Sequence, residues 1–178
     1  MDNKDLIFDE VDNLYKIILL KPFRKTTGVS FDIIPIEQIP KIDGIDRICH
    51  VKGAQSPRAV DSYTHPWYKH KYQEDYLLVL QGIRYTDIYT PAHGKIESFE
   101  ITPDYIKKNN KIICDASAML VWPCNVFHRI RTDDEGSLSI NLAARHERFS
   151  IQHNFDIYDL DVETGKYRVI REGYLDQS

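Results

Sequence analysis

Residues 68 to 82, YKHKYQEDYLLVLQG, place a tyrosine, a histidine and two adjacent carboxylates on one short run, and a second histidine stands in VFHRIR (126–131). Side chains alternate across a strand. Tyr68, His70 and Tyr72 therefore share one face, and Trp67, Lys69 and Lys71 take the other. The lysines belong in water, which turns His70 inward with Tyr68 beside it. By the same reasoning Arg129 and Arg131 face out, and His128 faces in with Val126 and Ile130. Alternation does not choose the acid. The face of Glu74, Tyr76, Leu78 and Leu80 and the face of Asp75, Leu77, Val79 and Gln81 are both apolar enough to be buried. With either carboxylate, His70 and His128 make two imidazoles and one carboxylate with open positions. That ligand set suits Fe(II) and is tolerable for Mn, Co, Ni or Zn. Such a centre activates oxygen or acts as a Lewis acid on a small substrate.

These residues need a scaffold of strands, and the chain supplies many short segments rich in Ile, Val, Tyr and Leu between Gly, Pro, Asn and Asp. That pattern predicts an all-β sandwich or barrel. Strands are expected at 15–20, 28–35, 47–51, 58–63, 74–80, 83–90, 95–101, 111–115, 118–123, 126–131 and 137–145, with Gly82 as a tight corner. TPDYIKKNN (102–110) reads as a short helix, capped by Thr102, begun by Pro103 and closed by Asn109 or Asn110. In the tail, YDLDVETGKYRVI predicts two strands joined at Glu163 to Lys166, either a hairpin on its own sheet or an arm reaching a second subunit.

The 178 residues are sized for one domain that buries roughly 70% of its unfolded surface. Lys and Arg number 23 against 27 Asp and Glu, for a net charge of −4 with no basic run, which excludes a nucleic-acid footprint. Cys49, Cys114 and Cys124 form no CxxC pair, so neither a disulfide framework nor a structural zinc site is predicted, and they read as small hydrophobes. The N-terminus MDNKDLIFDEVDN has no leader pattern, and no run approaches the ~18 apolar residues of a membrane span; a soluble, cytoplasmic protein without a membrane partner is expected.

Two segments resemble the paired motifs of the cupin superfamily, in particular the RmlC-like cupins. The first motif, G-x5-H-x-H-x3,4-E-x6-G, matches Ser62, Tyr68, His70, Asp75 or Glu74, and Gly82. Spacing to Gly82 favours Asp75, and residue type favours Glu74. The second, G-x5-P-x-G-x2-H-x3-N, matches Ser117, Pro123, Asn125, His128 and Thr132, keeping the proline and the histidine. The resemblance covers about residues 45 to 145. It implies one jelly-roll barrel, the double-stranded β-helix, with N- and C-terminal β extensions and the short helix between the motifs. The long segment from Gly82 to Ser117 would form a lid over one barrel mouth. The tail resembles that of a bacterial cupin subgroup and brings no chemistry of its own.

Tyr68 is the departure from the pattern, since the motif has a histidine there. Either Tyr68 contacts the metal as a phenol, or His65 substitutes, or the metal rests on three ligands; without a metal, His70 and His128 only hydrogen-bond inside the barrel. The leading expectation is a metal-dependent enzyme, of oxygenase or isomerase type, acting on a small polar molecule. His70, His128 and Asp75 or Glu74 would hold Fe, Mn, Ni or Zn, with Tyr68 as fourth ligand or catalytic acid. The alternatives are a metal-independent sugar epimerase or isomerase, in which a histidine takes a proton and Tyr68 returns one, and a non-enzymatic ligand-binding or sensor domain. His50, His93, His146 and His153 read as surface or satisfied histidines, Trp67 and Trp122 as core or pocket wall. Arg84 and Arg145 read as solvated charges, with a grip on a carboxylate or phosphate as the alternative. A homodimer is expected, because edge strands of such barrels need covering.

Overall fold

The computed structural model describes residues 6–177. β1 (Ile7–Val11) and β2 (Tyr15–Leu19) form a hairpin, and β3 (Lys21–Thr26) and β4 (Val29–Ile33) a second, separate one. β5 (Gly44–His50), β6 (Gln55–Ser56) and β7 (Trp67–Lys69) precede the long β8 (Gln73–Tyr89). β9 (Glu97–Ile101), β10 (Ile106–Lys108), β11 (Lys111–Cys114) and β12 (Ala118–Trp122) lead to the second long strand, β13 (Phe127–Arg145). One helical turn, α1 (Ile151–Asn154), comes before the C-terminal hairpin of β14 (Ile157–Leu160) and β15 (Tyr167–Arg171).

β8 and β13 pair antiparallel from Phe127 opposite Tyr89 to Arg145 opposite Gln73, and each serves both halves of a jelly-roll barrel. The first half of β8 lies between β12 and the second half of β13, with β2 and β5 beyond. The second half of β8 lies between β9 and the first half of β13, on which β6 and β7 also pair. Apolar side chains from both halves meet inside: Ile17, Leu77, Val79 and Leu120 from one, Ile88, Phe99, Ile101 and Ile106 from the other. A second cluster, with Tyr76, Leu78, Met119, Val121 and Leu142, lies on the other face under Ile34 and Ile39. Both faces of β8 are thus buried, as the sequence pattern indicated.

The strands expected at 74–80 and 83–90 are one continuous strand, as are those at 126–131 and 137–145. Gly82 bends β8 at φ +74 without ending it, and the register with β13 shifts across the same bend. At 58–63 the structure has only a bridge between Val60 and Tyr63. The helix expected at 102–110 is absent. The Thr102 hydroxyl does accept from the Asp104 and Tyr105 amides, as a cap would, but the next residues pair as β10 with β9 and β11. Asn109 and Asn110, both left-handed, close a hairpin there instead of capping a helix.

The C-terminal strands fold on their own sheet, β14 pairing with β15 and with β7. The β3–β4 hairpin stands apart and exposes Phe23, Val29 and Phe31. No helix among the described residues is long and apolar enough to cross a membrane.

Candidate functional site

His70 follows β7 directly, Asp75 is the third residue of β8, and His128 is the second of β13. Because β7 and β8 both pair with β13, these three side chains converge inside the barrel. Their ligand atoms lie within 4.8 Å of one another and all three residues are buried. Asp75 shares the inner face with Gln73 and Leu77. Glu74 turns to the other face, where it pairs with His146 at 2.8 Å and accepts from the Tyr76 hydroxyl at 3.3 Å. The structure therefore brings Asp75, not Glu74, to the two histidines.

Lys69 does not go to water: it is buried, with Nζ 3.8 Å from the centre of the Tyr167 ring and close to Phe127 and Tyr158. The C-terminal hairpin covers the face that alternation assigned to solvent, and cation–π contacts accommodate the charge. His70 faces inward all the same.

Both imidazoles are oriented by backbone carbonyls. His70 Nδ1 donates to the Asn154 carbonyl at 2.5 Å, and His128 Nδ1 to that of Val126 at 3.2 Å. A carbonyl only accepts, so each Nδ1 carries a hydrogen, and in the neutral rings each Nε2 keeps its lone pair. His70 Nε2 lies 3.3 Å from Asp75 Oδ2. Asp75 Oδ1 accepts from the side-chain amides of Gln73 at 2.8 Å and Asn141 at 2.6 Å. Burial, and then the neighbouring His70, push the His128 pKa down to about 3, so this ring is neutral. Two Nε2 atoms and a carboxylate oxygen, held from behind by hydrogen bonds, fit a divalent metal ion.

Tyr68 stands beside both rings, its centroid 6.3 Å from that of His70 and 6.0 Å from that of His128. Burial raises its pKa, against a hydrogen bond with Ser56 that lowers it, so the phenol keeps its proton. His65 does not join the group: it lines a different cavity, and its carbonyl accepts from Arg129 at 3.2 Å.

The site opens into a cavity of about 170 Å³. Trp122 walls it, tilted 5.1 Å from His128. Sequence reasoning missed two contributors. Asn154 and Phe155 lie just before the C-terminal hairpin, in a stretch that received no functional reading, and Phe155 sets its ring edge against His70 and Tyr68. Their partners are more than eighty residues away along the chain, and no pattern within the tail signals the meeting. The segment from Gly82 to Ser117, expected as a lid, contributes only Arg84 to the cavity wall. Arg84, read as a solvated charge with a grip on a carboxylate or phosphate as the alternative, is 0% exposed.

A bent jelly roll with its polar group inside the barrel, on the strands of the two motifs, is the RmlC-like cupin fold. Among solved structures the chain resembles QdtA, a sugar 3,4-ketoisomerase from Thermoanaerobacterium thermosaccharolyticum in complex with TDP. The TM-score is 0.55 at 18% identity, over 77% of this chain and 84% of that one. It also resembles the dTDP-6-deoxy-D-glucose-3,5-epimerase RmlC from Legionella pneumophila, bound to dTDP-4-keto-L-rhamnose, with a TM-score of 0.55 at 13% identity over 83% and 77% of the two chains. The dTDP-4-dehydrorhamnose 3,5-epimerase from Sulfolobus tokodaii matches with a TM-score of 0.51 at 17% identity, over 76% and 72%. At these identities the likeness is one of fold. No protein-family model and no curated protein matches the chain.

Proposed function

We propose that this protein is a metal-independent isomerase or epimerase that moves a proton at a carbon next to a carbonyl, on a keto sugar or a similar small polar molecule held in the barrel. The carrying observation is the His70–Asp75 pair, facing the cavity with a protonated tyrosine beside it. With Nδ1–H held by the Asn154 carbonyl, Nε2 is the nitrogen that exchanges protons. It takes the proton from the substrate carbon as the C–H pair forms the C=C bond of an enediolate and the carbonyl π pair moves to oxygen, and Asp75 at 3.3 Å stabilises the imidazolium that forms. Tyr68 delivers a proton to the neighbouring carbon, the other hydroxyl passing its proton to the former carbonyl oxygen as it becomes the new ketone, or to the opposite face of the same carbon as the oxyanion re-forms the carbonyl. The resemblance to sugar ketoisomerases and epimerases supports this reading. A homodimer is part of the proposal, supported by the exposed apolar side chains of the β3–β4 hairpin.

A second reading has its own observation. Both histidines give Nδ1–H to backbone carbonyls, His70 turns Nε2 toward Asp75, and one ligand atom of each of the three residues lies within 4.8 Å of the others, the arrangement of a metal-ligating group. Fe, Mn, Ni or Zn held by His70, Asp75 and His128 would supply Lewis acidity at the substrate carbonyl.

The test is deuterium incorporation from D2O into a panel of 4-keto sugars, with TDP-4-keto-6-deoxyglucose and 4-keto uronic acids side by side, before and after chelation. Exchange that survives chelation is the expected result, with net isomerisation or epimerisation lost in Tyr68→Phe while His70 still exchanges the proton it abstracts. Exchange lost on chelation and restored by a divalent ion transfers the assignment to the metal centre. No exchange under any condition rejects both and leaves a binding module.

A further inference from the structure

Among the described residues, Arg84 is a fully enclosed charge with no ion-pair partner. It sits two residues past the bend of β8, 0% exposed, and lines the same cavity as the His70–Asp75 pair. Its single protein hydrogen bond is a 3.3 Å contact from Nη2 to the Ile48 carbonyl, and Nε and Nη1 have no partner among the described residues. Burial pushes its pKa down to about 10, and the only group that opposes this is the Cys49 thiol. At the same end of the cavity His50 has an unpartnered Nδ1, and burial, then Arg84, push its pKa down to about 4, so it is neutral at pH 7. A buried guanidinium without a partner is costly, and such a group persists where something else completes it.

We propose that Arg84, with His50 beside it, is a carboxylate-binding subsite, so that the natural ligand is a small acid whose carboxylate docks at Arg84 while its reacting carbon lies at His70 and Asp75. This rests on the cavity being the substrate site, and it narrows the substrate class from keto sugars in general to acidic ones. Two physical arguments select the group. Arg84 is fully enclosed, so the anion must end a molecule; a diphosphate, which has a chain on both sides, cannot stop there. Arg84 is the one Lys or Arg among the residues lining the cavity, and neither Asp46 nor Asp75, which line it too, forms an ion pair with it. A monoanion therefore balances this charge, whereas a phosphate dianion would add a buried negative charge to a cavity that already holds two acids.

The experiment is a thermal-shift titration at constant ionic strength with glucuronate, galacturonate and pyruvate, against glucose, galactose and inorganic phosphate, on the wild type and on Arg84→Met. The proposal expects the carboxylates to raise the wild-type melting temperature saturably and the neutral sugars to leave it unchanged. Arg84→Met should lose that response while melting, without ligand, at or above the wild-type temperature, because the unpaired charge is gone. If Arg84→Met is strongly destabilised and the wild type ignores carboxylates, the arginine is structural and the proposal is wrong. Stabilisation by phosphate alone also overturns it. Should the variant not fold, the Arg84 Nε–H resonance of the wild type decides: a saturable shift with glucuronate and none with glucose is required. Carboxylate binding without deuterium exchange would reject the isomerase reading and leave this subsite standing.

Discussion

Asp75 holds more of the site together than any other side chain, accepting from Gln73 and Asn141 on one oxygen and facing His70 with the other. Its charge and its hydrogen bonds are separable by substitution. Asp75→Asn keeps an acceptor and a donor in place, and we expect a folded protein within about 1 kcal/mol of the wild type whose exchange activity falls about a hundredfold or more. Asp75→Ala leaves two buried amides and an imidazole unpartnered and should cost about 3 kcal/mol as well as activity. Urea unfolding and deuterium exchange, run on both variants, separate the roles; equal stability losses would make Asp75 a structural residue. At this scale the sequence showed both histidines and narrowed the acid to two neighbours. The choice of Asp75 had to come from the fold, because both faces of β8 are buried and alternation carries no information when water touches neither side.

The bent strand is the element that makes the site. β8 carries Asp75 in one half and Arg84 in the other, and only a bend at Gly82 lets one strand wall the cavity from both. A Cβ at Gly82 would lie 2.1 Å from the Gly136 carbonyl oxygen, in a left-handed conformation that L residues avoid. Gly82→Ala should therefore destabilise the protein by about 3 kcal/mol, a backbone strain plus a clash. Gly28→Ala, equally left-handed at φ +75 but with open space around it, is the control and should cost only about 1 kcal/mol. Equal losses in chemical denaturation would show that the Gly136 contact is irrelevant. Gly82 was legible as a corner, but a corner and a bend have the same local signature. Neighbouring strands decide whether pairing continues past it, and here β13 runs alongside throughout. The missing helix at 102–110 has the same origin: Thr102 makes its cap-like bonds, and sheet pairing then takes the backbone groups a helix would have used.

For the molecule as a whole, stability should depend on acidic groups held ionised. Burial pushes the Glu97 carboxyl up, but hydrogen bonds from Lys95, His93 and Asn109 outweigh it and hold the pKa at about 2. Glu100 and Asp176 are also lowered: burial opposes Lys107 and Tyr105 at Glu100, and Arg171 leads at Asp176. A carboxylate with a depressed folded pKa contributes stability that is complete above its ordinary value and is lost as pH falls through the folded one. For Glu97 that window runs from 4.5 down to about 2. We expect Glu97→Gln to be less stable than wild type at pH 7 by about 2 kcal/mol, with the difference closing as the pH approaches 2. Urea midpoints across that range check this, and a constant gap would mean that the lost stability is packing and not charge.

The sequence by itself determined the all-β class, the inward turn of His128, the corner at Gly82 and the two strands of the tail with the turn between them. Each depends on the two-residue period of a strand or on the backbone freedom of one residue, and both are local properties. Only the tertiary structure decided that Lys69 is buried, that Asn154 orients His70, that Asp75 and not Glu74 completes the group, and that Arg84 lies unpaired inside the barrel. Those facts depend on which distant segment covers a given face, and that is settled when the two halves of the jelly roll close over one another.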